Sequence, residues 1–423
     1  MTLTSKAMPV SRRSAYGFCL TLLLAVSIDA HAAQWITTWG AAPEPPTAAA
    51  GRFPATPSFA NQTIREVVRI SAGGARLRIR LTNEYGTKML SIGAVRVALA
   101  DASGAPLEGT DRAVLFAGQP SASIPAGAPL VSDPIDLPVK PLATLSISVY
   151  LPDDTGPCTC HAVGVQTAYV SAPGDFTAQT FTPAHTLQAR AFLSGIDVEQ
   201  TGRARSIVVL GDSISDGVGS TPNADHRWPD LLAQRLAARS GHVAFGVVNM
   251  GISGNRILND GAGQSALARF DRDVLSVPGV SYVVVFEGVN DLGISFGHFE
   301  GPLAAYFKRL ASPRKATAEA IIAGYRQIIA RAHEKGIKVL GATITPYGGA
   351  AYYSPEGEAQ REAINRWIRT GGAFDGVLDF DAAWRDPQDP TRIATPLQAG
   401  DHLHGSDAGY EALARSIDLS LFK

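Results

Sequence analysis

Near residue 200 the hydrophobic pattern changes period, and two architectures in one chain follow from that change. From Gln34 to about Gln200 the pattern is strand-like. Leu77, Ile79 and Leu81 are apolar while Arg76, Arg78 and Arg80 between them are polar, the period-two signature of a sheet with one wet face. Leu145, Ile147, Val149 and Leu151 repeat it. Between such runs lie turn clusters: Ala72-Gly73-Gly74, Asn83-Glu84-Tyr85-Gly86 and Asp153-Asp154-Thr155-Gly156. Residues 33–200 are therefore predicted to form an all-β sandwich or jelly-roll domain, with the Pro- and Ala-rich Ala41 to Ala50 as a loop.

From Arg205 the chain alternates buried-type strands with helices. Ser206 to Leu210, Phe245 to Asn249, Tyr282 to Phe286, Ile337 to Thr343 and Val377 to Phe380 read as strands. Between Thr317 and Lys335, Ile321, Tyr325, Ile328 and Ala332 make the apolar stripe of a helix that Gly336 stops. Another helix is predicted around Glu358 to Arg369, and a last one from about Ser406. Residues 205–423 are thus predicted to be an α/β three-layer sandwich around a five-stranded parallel sheet, whose ligands sit beyond the strand C-termini.

The size agrees, because 423 residues exceed what one hydrophobic core usually organises. With 45% hydrophobic and 18% charged residues, disorder and a membrane-embedded protein are both disfavoured. Lys and Arg total 37 against 38 Asp and Glu, so no net field favours nucleic acid as a partner. Lys6, Arg12 and Arg13 precede an apolar run from Tyr16 to Ile28, and Ala30-His31-Ala32 supplies a small-x-small cleavage signature. Residues 1–32 are predicted to be a signal peptide cut near Ala32-Ala33, which makes the protein secreted or periplasmic. The apolar run is shorter than the roughly 20 residues a spanning helix needs, so no stable membrane anchor is expected. Cys19 in this leader follows Phe18 rather than a small residue, against lipid attachment. Cys158 and Cys160 share a Cys-Thr-Cys turn; export permits a disulfide there, although so short a loop would strain it, and two thiols alone make a poor metal site.

Four segments fall where a ligand would sit. Gly211-Asp212-Ser213-Ile214-Ser215-Asp216-Gly217 follows the first parallel strand. A serine on a strand-to-helix turn is lifted from the sheet beside free backbone N–H groups, which suits a nucleophile. The same turn would also serve as a helix cap or phosphate loop, but it lacks the Gly-Lys-Ser/Thr of a nucleotide site. Asn249-Met250-Gly251-Ile252-Ser253-Gly254-Asn255-Arg256 follows the second strand, with glycines that let a backbone N–H approach a substrate. Glu287-Gly288-Val289-Asn290-Asp291 follows the third and offers a side-chain amide, or simply turn chemistry. Gly400-Asp401-His402-Leu403-His404-Gly405 precedes the last helix. Its spacing lets Asp401 hold the His404 imidazole in one tautomer; the alternative, His402 and His404 as metal ligands, lacks accompanying ligands at suitable spacing.

Taken together and in order, these segments resemble the four signature blocks of the SGNH (GDSL-type) hydrolases: Gly-Asp-Ser, the glycine block, Gly-x-Asn-Asp and Asp-x-x-His. The resemblance covers about Ser206 to Lys423. It implies a flavodoxin-like fold and ester hydrolysis without cofactor or metal, with Ser213 as nucleophile, His404 as base and Asp401 orienting that base. It also implies an oxyanion hole from the backbone N–H groups of Ser213 and Gly254 and the Asn290 side chain; Gly254 rather than Gly251 matches the family's Ser-Gly pair. A sandwich ahead of such a domain looks like the arrangement of some bacterial carbohydrate esterases, including acetyl xylan esterases. The expected partner is accordingly an ester substrate, an acylated glycan or, as the second choice, a lipid ester of the lysophospholipase, short-chain lipase or arylesterase type. A glycan-binding protein and an SGNH O-acyltransferase are the alternatives of other classes. Phe296, Phe299, Tyr306 and Phe307 in the segment after Asn290, with Trp228 and Tyr347, are candidates for pocket walls or for packing.

Overall fold

The computed structural model describes residues 1–5, 8, 33–49, 55–101, 103–239, 243–299 and 304–423. Most of the predicted signal peptide, and the side chain of Tyr306, lie outside the described residues. Five parallel strands form the centre of the C-terminal half: Arg203–Gly211, Val243–Gly251, Val280–Phe286, Lys338–Ala342 and Gly376–Leu378. In space the second strand is at one edge, followed by the first, third, fourth and fifth, the order of a doubly wound flavodoxin-like sheet. The runs are almost uninterruptedly apolar because both faces are covered: Ile207, Val208, Val209 and Leu210, like Val283 and Val284, are fully buried.

The predicted strands and helices are present, with shifted ends. The helix that leads into the fourth strand runs Ala318–His333, where the Thr317 side chain accepts from the Ala320 N–H, and Gly336 at φ 70° turns the chain out. The next helix, Pro355–Thr370, starts three residues before the expected Glu358. Ser354 caps it and Pro355 occupies its first turn, where a missing N–H costs nothing. The last helix is Asp407–Ser416, capped by Ser406.

The described residues of the N-terminal half build two large antiparallel sheets and two two-stranded ones, Leu90–Ile92 with Ala122–Ile124 and Cys160–His161 with Arg190–Ala191. One large sheet orders Gln34–Gly40, Leu193–Gln200, Leu77–Thr82 and Pro129–Val131; the other orders His185–Leu187, Ala168–Pro173, Gln62–Arg69, Thr144–Leu151, Ala94–Leu99 and Arg112–Ala113. Their inner faces share one hydrophobic core, and the parallel sheet with its helices has another. The Leu77–Thr82 strand alternates as its sequence implies, with Arg80 paired to Asp197 at 2.8 Å and Arg78 lying 4.1 Å over the Trp35 ring. The Thr144–Leu151 strand departs from that expectation: Ser146 and Ser148, on the face expected to be wet, are buried. Arg65 explains the cover. Its guanidinium donates to Ser148 Oγ at 2.8 Å and to the carbonyls of Phe176 and Gln179, so a loop is strapped across the outer face.

Two residues, Thr201 and Gly202, join the last sandwich strand to the first parallel strand. The Gln34–Gly40 strand lies against the parallel sheet: the Thr37 N–H donates to Ser206 Oγ at 3.0 Å, and the Val247 N–H donates to Ser71 Oγ at 2.7 Å. Contact is so close that a Cβ on Gly246 would overlap the Thr37 carbonyl oxygen. Sandwich and parallel sheet consequently form one compact unit, Ala33–Lys423.

Candidate active site

Register sets the stage. Gly211, Gly251 and Phe286 stand abreast at the C-terminal ends of three adjacent strands. The first strand lies between the second and third, so loops leaving it and its neighbours open the crevice of a topological switch point.

Directly after Gly211 the chain turns into a four-residue helix, Ser213–Asp216. Asp212 caps it, its carboxylate accepting from the Ile214 N–H at 2.9 Å, and the turn lifts Ser213 clear of the sheet. Burial pushes the Asp212 carboxyl up to about 7; the Ile214 N–H and the His404 charge pull it down, and Asp291 and Asp216 push it further up.

The Ser213 hydroxyl is 2.8 Å from His404 Nε2 although 191 residues separate them in sequence. On the other side of the ring, His404 Nδ1 is 2.6 Å from Asp401 Oδ2. Asp401 is held in turn by the Leu403 and His404 N–H groups, which donate to its Oδ1 at 3.0 and 2.9 Å. Burial works against ionisation of Asp401, yet the His404 hydrogen bond and charge and those N–H donors outweigh it and hold the carboxyl well below the usual range. The carboxylate thus selects the tautomer with hydrogen on Nδ1 and leaves Nε2 to accept the serine proton.

The expected donors come from the neighbouring strand ends. Gly254 sits in a turn at φ 81°, a conformation that favours glycine, and its N–H finds no protein acceptor among the described residues. Asn290, buried in the first turn of the helix Val289–Phe296, donates one amide hydrogen to the Asn255 carbonyl at 3.0 Å. Its Oδ1 accepts from the Tyr352 hydroxyl at 3.1 Å. With both ends anchored, the second amide hydrogen has a fixed direction.

Two residues that fix this geometry were not singled out by sequence reasoning. Tyr352 is one. The other is Arg269, which is fully buried. Its guanidinium donates to the Gly211 carbonyl at 3.1 Å, to the Met250 carbonyl, to Asn255 Oδ1 at 3.0 Å and to Asp273 at 3.1 Å, and it reaches Glu287 at 3.4 Å. One cation therefore ties three strand ends to the glycine loop. The local Ala-Leu-Ala-Arg-Phe run looks like an ordinary helix surface and carries no signal of this.

The aromatic candidates with described side chains, all but Tyr306, pack. Trp228 is fully buried edge-on to Phe286 and Phe380, with ring centroids 6.5 and 5.2 Å away. Tyr347 is fully buried against Tyr352 and Tyr353. Phe299 stacks on Phe307 at 5.1 Å, and Phe307 meets the Tyr352 ring at 5.7 Å, so this pair backs the residue that holds Asn290. Phe296 is buried as well. His402 occupies the turn at φ 61°, and among the described residues no group of three or more His, Cys, Asp or Glu is arranged to hold a metal ion. Cys158 and Cys160 form a disulfide with a Cα separation of 5.3 Å.

A five-stranded doubly wound sheet with these blocks at its switch point defines the class of SGNH hydrolases, enzymes that cleave carboxylic esters. Residues 209–412 match the GDSL-like lipase/acylhydrolase family and make up a domain of that family, so the chain is a carboxylic ester hydrolase. Solved structures similar to it include a putative lipolytic protein of the G-D-S-L family from Desulfitobacterium hafniense, 20% identical, covering 50% of this chain and 96% of that one at a TM-score of 0.34. An acetyl xylan esterase from Geobacillus stearothermophilus is 21% identical over 51% of this chain and 93% of its own, with a TM-score of 0.38. A lipase/acylhydrolase from Enterococcus faecalis is 21% identical over 50% and 92%, at 0.37. No curated protein matches the chain.

Proposed function

We propose that this protein is an exported serine esterase that removes acyl groups, acetyl above all, from carbohydrate. The observation that carries the mechanism is the unbroken chain Asp401–His404–Ser213, with contacts of 2.6 and 2.8 Å. Ser213 Oγ attacks the ester carbonyl carbon while His404 Nε2 takes its proton, and Asp401 stabilises the imidazolium. The tetrahedral oxyanion receives hydrogen bonds from the Ser213 and Gly254 N–H groups and the Asn290 amide. The C–O bond to the alcohol then breaks, the leaving oxygen takes the His404 proton, and the acyl group stays on Ser213. Water attacks this ester with His404 again as base; breakage of the Ser213 ester bond returns the proton to Oγ and releases the acid.

Donors aimed at developing charge in a partly dry site make large contributions. Asn290→Ala should therefore lower kcat by about 100- to 1,000-fold with a small change in KM. Steady-state hydrolysis of p-nitrophenyl acetate measures this, and a kcat near that of the wild type would remove the Asn290 amide from the oxyanion site.

A glycan substrate is supported by a polar cleft of about 500 Å³, mostly on the sandwich, whose lining includes Arg69, Asp101, Gln166, Tyr169, Asn223 and Asp225. Ser213, Gly254, Asn290, Asp401 and His404 do not line it, which makes it a surface for the polymer and not the pocket of the scissile ester. Amide, phenol and charged groups in such a cleft suit sugar hydroxyls better than an acyl chain. Its Asn223 and Asp225 lie on the loop that continues from the nucleophile turn. The leader-like residues 1–32 and the Cys158–Cys160 bond agree with an exported protein acting on an external polymer. A lipid ester is the second reading, although Phe299 and Phe307 pack on the buried Tyr352 ring. Acetate release from acetylated xylan compared with fatty-acid release from lysophospholipid decides between them: higher kcat/KM on the glycan is expected, and higher kcat/KM on the lipid would overturn the assignment.

A further inference from the structure

The His161 side chain of the sandwich reaches the helix that carries Ser213. His161 comes from the short strand Cys160–His161 and is buried against Asp216, the last residue of the helix that begins with Ser213. Its Nε2 lies 2.8 Å from Asp216 Oδ1 and 3.0 Å from the Val163 carbonyl; its Nδ1 lies 3.0 Å from the Ala42 carbonyl and 3.3 Å from Glu44 Oε1. Carbonyls and carboxylates only accept. A neutral imidazole has a single N–H, so one of its nitrogens would press a lone pair against a carbonyl oxygen. Only the imidazolium, with a hydrogen on each nitrogen, satisfies the site.

Asp216 passes this constraint on. Its Oδ2 accepts from the Ser253 N–H at 3.0 Å and from the Ser253 hydroxyl at 2.7 Å. Ser253 immediately precedes Gly254, whose N–H is one of the oxyanion donors in the catalytic reading above. We propose that His161 of the sandwich is a positioning residue for ester hydrolysis: as an imidazolium between Glu44 and Asp216 it fixes Asp216, and through Ser253 it fixes the direction of the Gly254 N–H. The inference rests on that reading of Gly254 and extends it, because the N-terminal half then completes the oxyanion site.

The charges around the ring give this arrangement a pH dependence. Glu44 and Asp216 touch it; Glu66, paired with Arg190, stands behind, and Arg269 and Arg227 act at longer range on Glu44 and Asp216. Burial alone would push the His161 ring down, but Asp216 and Glu44 outweigh it and raise it to about 9. A raised histidine contributes fully below its ordinary value of about 6.5, and its contribution is lost as pH rises through about 9. The alkaline side of the wild-type kcat profile should therefore fall near that pH.

The test compares p-nitrophenyl acetate hydrolysis by the full chain and its His161→Gln, Ser253→Ala and Ser213→Ala variants from pH 6 to pH 10, with thermal melting of each. A misdirected donor costs up to about 100-fold in rate. His161→Gln is expected to lower kcat by about 10- to 100-fold with KM within about threefold of wild type, and to lack the alkaline fall. A folded His161→Gln that keeps both the wild-type kcat and the alkaline fall overturns the proposal. If that variant fails to fold, Ser253→Ala decides, since it removes one hydroxyl and leaves the core filled. A kcat lower by about 3- to 10-fold at unchanged KM supports the relay, and an unchanged kcat overturns it. Ser213→Ala separates the two levels: activity there removes the catalytic reading and the relay with it, whereas an inactive Ser213→Ala beside a fully active His161→Gln removes the relay alone.

Discussion

Ser213→Ala is expected to lower ester turnover by on the order of 10⁶-fold while leaving the thermal unfolding midpoint nearly unchanged. The two halves of this expectation have separate causes. Turnover collapses because no other group supplies the attacking oxygen, and the Asp401–His404 pair without it has nothing to activate. Stability survives because only one oxygen is removed: Asp212 still caps the helix through the Ile214 N–H, and His404 keeps Asp401. The His404 side chain is 13% exposed, so its Nε2 can turn to water once the serine oxygen is gone. Parallel assays of hydrolysis and thermal melting check both halves. Wild-type turnover in the variant would remove Ser213 from the chemistry, and a collapsed midpoint would mean that the turn depends on its hydroxyl for folding.

Arg269→Met reverses the pattern, with a stability loss as the primary effect. Methionine fills much of the same space but donates nothing, so buried Asn255 Oδ1 loses its donor and the Met250 carbonyl loses the guanidinium, while the Gly211 carbonyl keeps only the Ile252 N–H and Asp273 Oδ2 keeps only Arg272. Burial already pushes the Glu287 carboxyl well up, and Asp212 adds to the push; Arg269 is the cation that pulls it back. Breaking such a buried pair by removing one side costs about 3–5 kcal/mol. Urea unfolding of wild type and variant should show that loss as a lower midpoint. Activity should fall too, because Asn255, whose carbonyl anchors the Asn290 amide, loses the Arg269 bond to its Oδ1, and its side chain is held only through its Nδ2 bonds to the Ala262 and Gln264 carbonyls. An unshifted midpoint would show that the acceptors around Arg269 are satisfied in another way.

Arg269 also marks the boundary of what was legible in the sequence. The five parallel strands were readable because a strand covered on both faces is written as a continuous apolar run. The Asp401–His404 pair was readable because three residues of one turn bring carboxylate and ring together. Ser213 and His404 are 191 residues apart, and only the ordered resemblance of four blocks linked them. Arg269, Tyr352 and His161 left no local trace: each is defined by partners on other elements, and a lone arginine, tyrosine or histidine reads the same whether it is solvated or locked into a core. The early start of the Pro355–Thr370 helix has a smaller cause. Its signal was the Ser354-Pro355 pair, which lies before the apolar stripe begins. The covered face of the Thr144–Leu151 strand came from a loop folding back through Arg65, an event that period-two alternation does not encode.

Of all measurements, covalent trapping bears most directly on the proposal that Ser213 is the nucleophile. The full chain is treated with a fluorophosphonate, digested and mapped by mass spectrometry while residual ester hydrolysis is followed. The expected result is one phosphonyl group per chain, on the Ser213 hydroxyl, with activity lost in proportion to labelling and no labelling in a folded His404→Ala variant. Full inactivation with the group on another residue, and Ser213 unmodified, would contradict it.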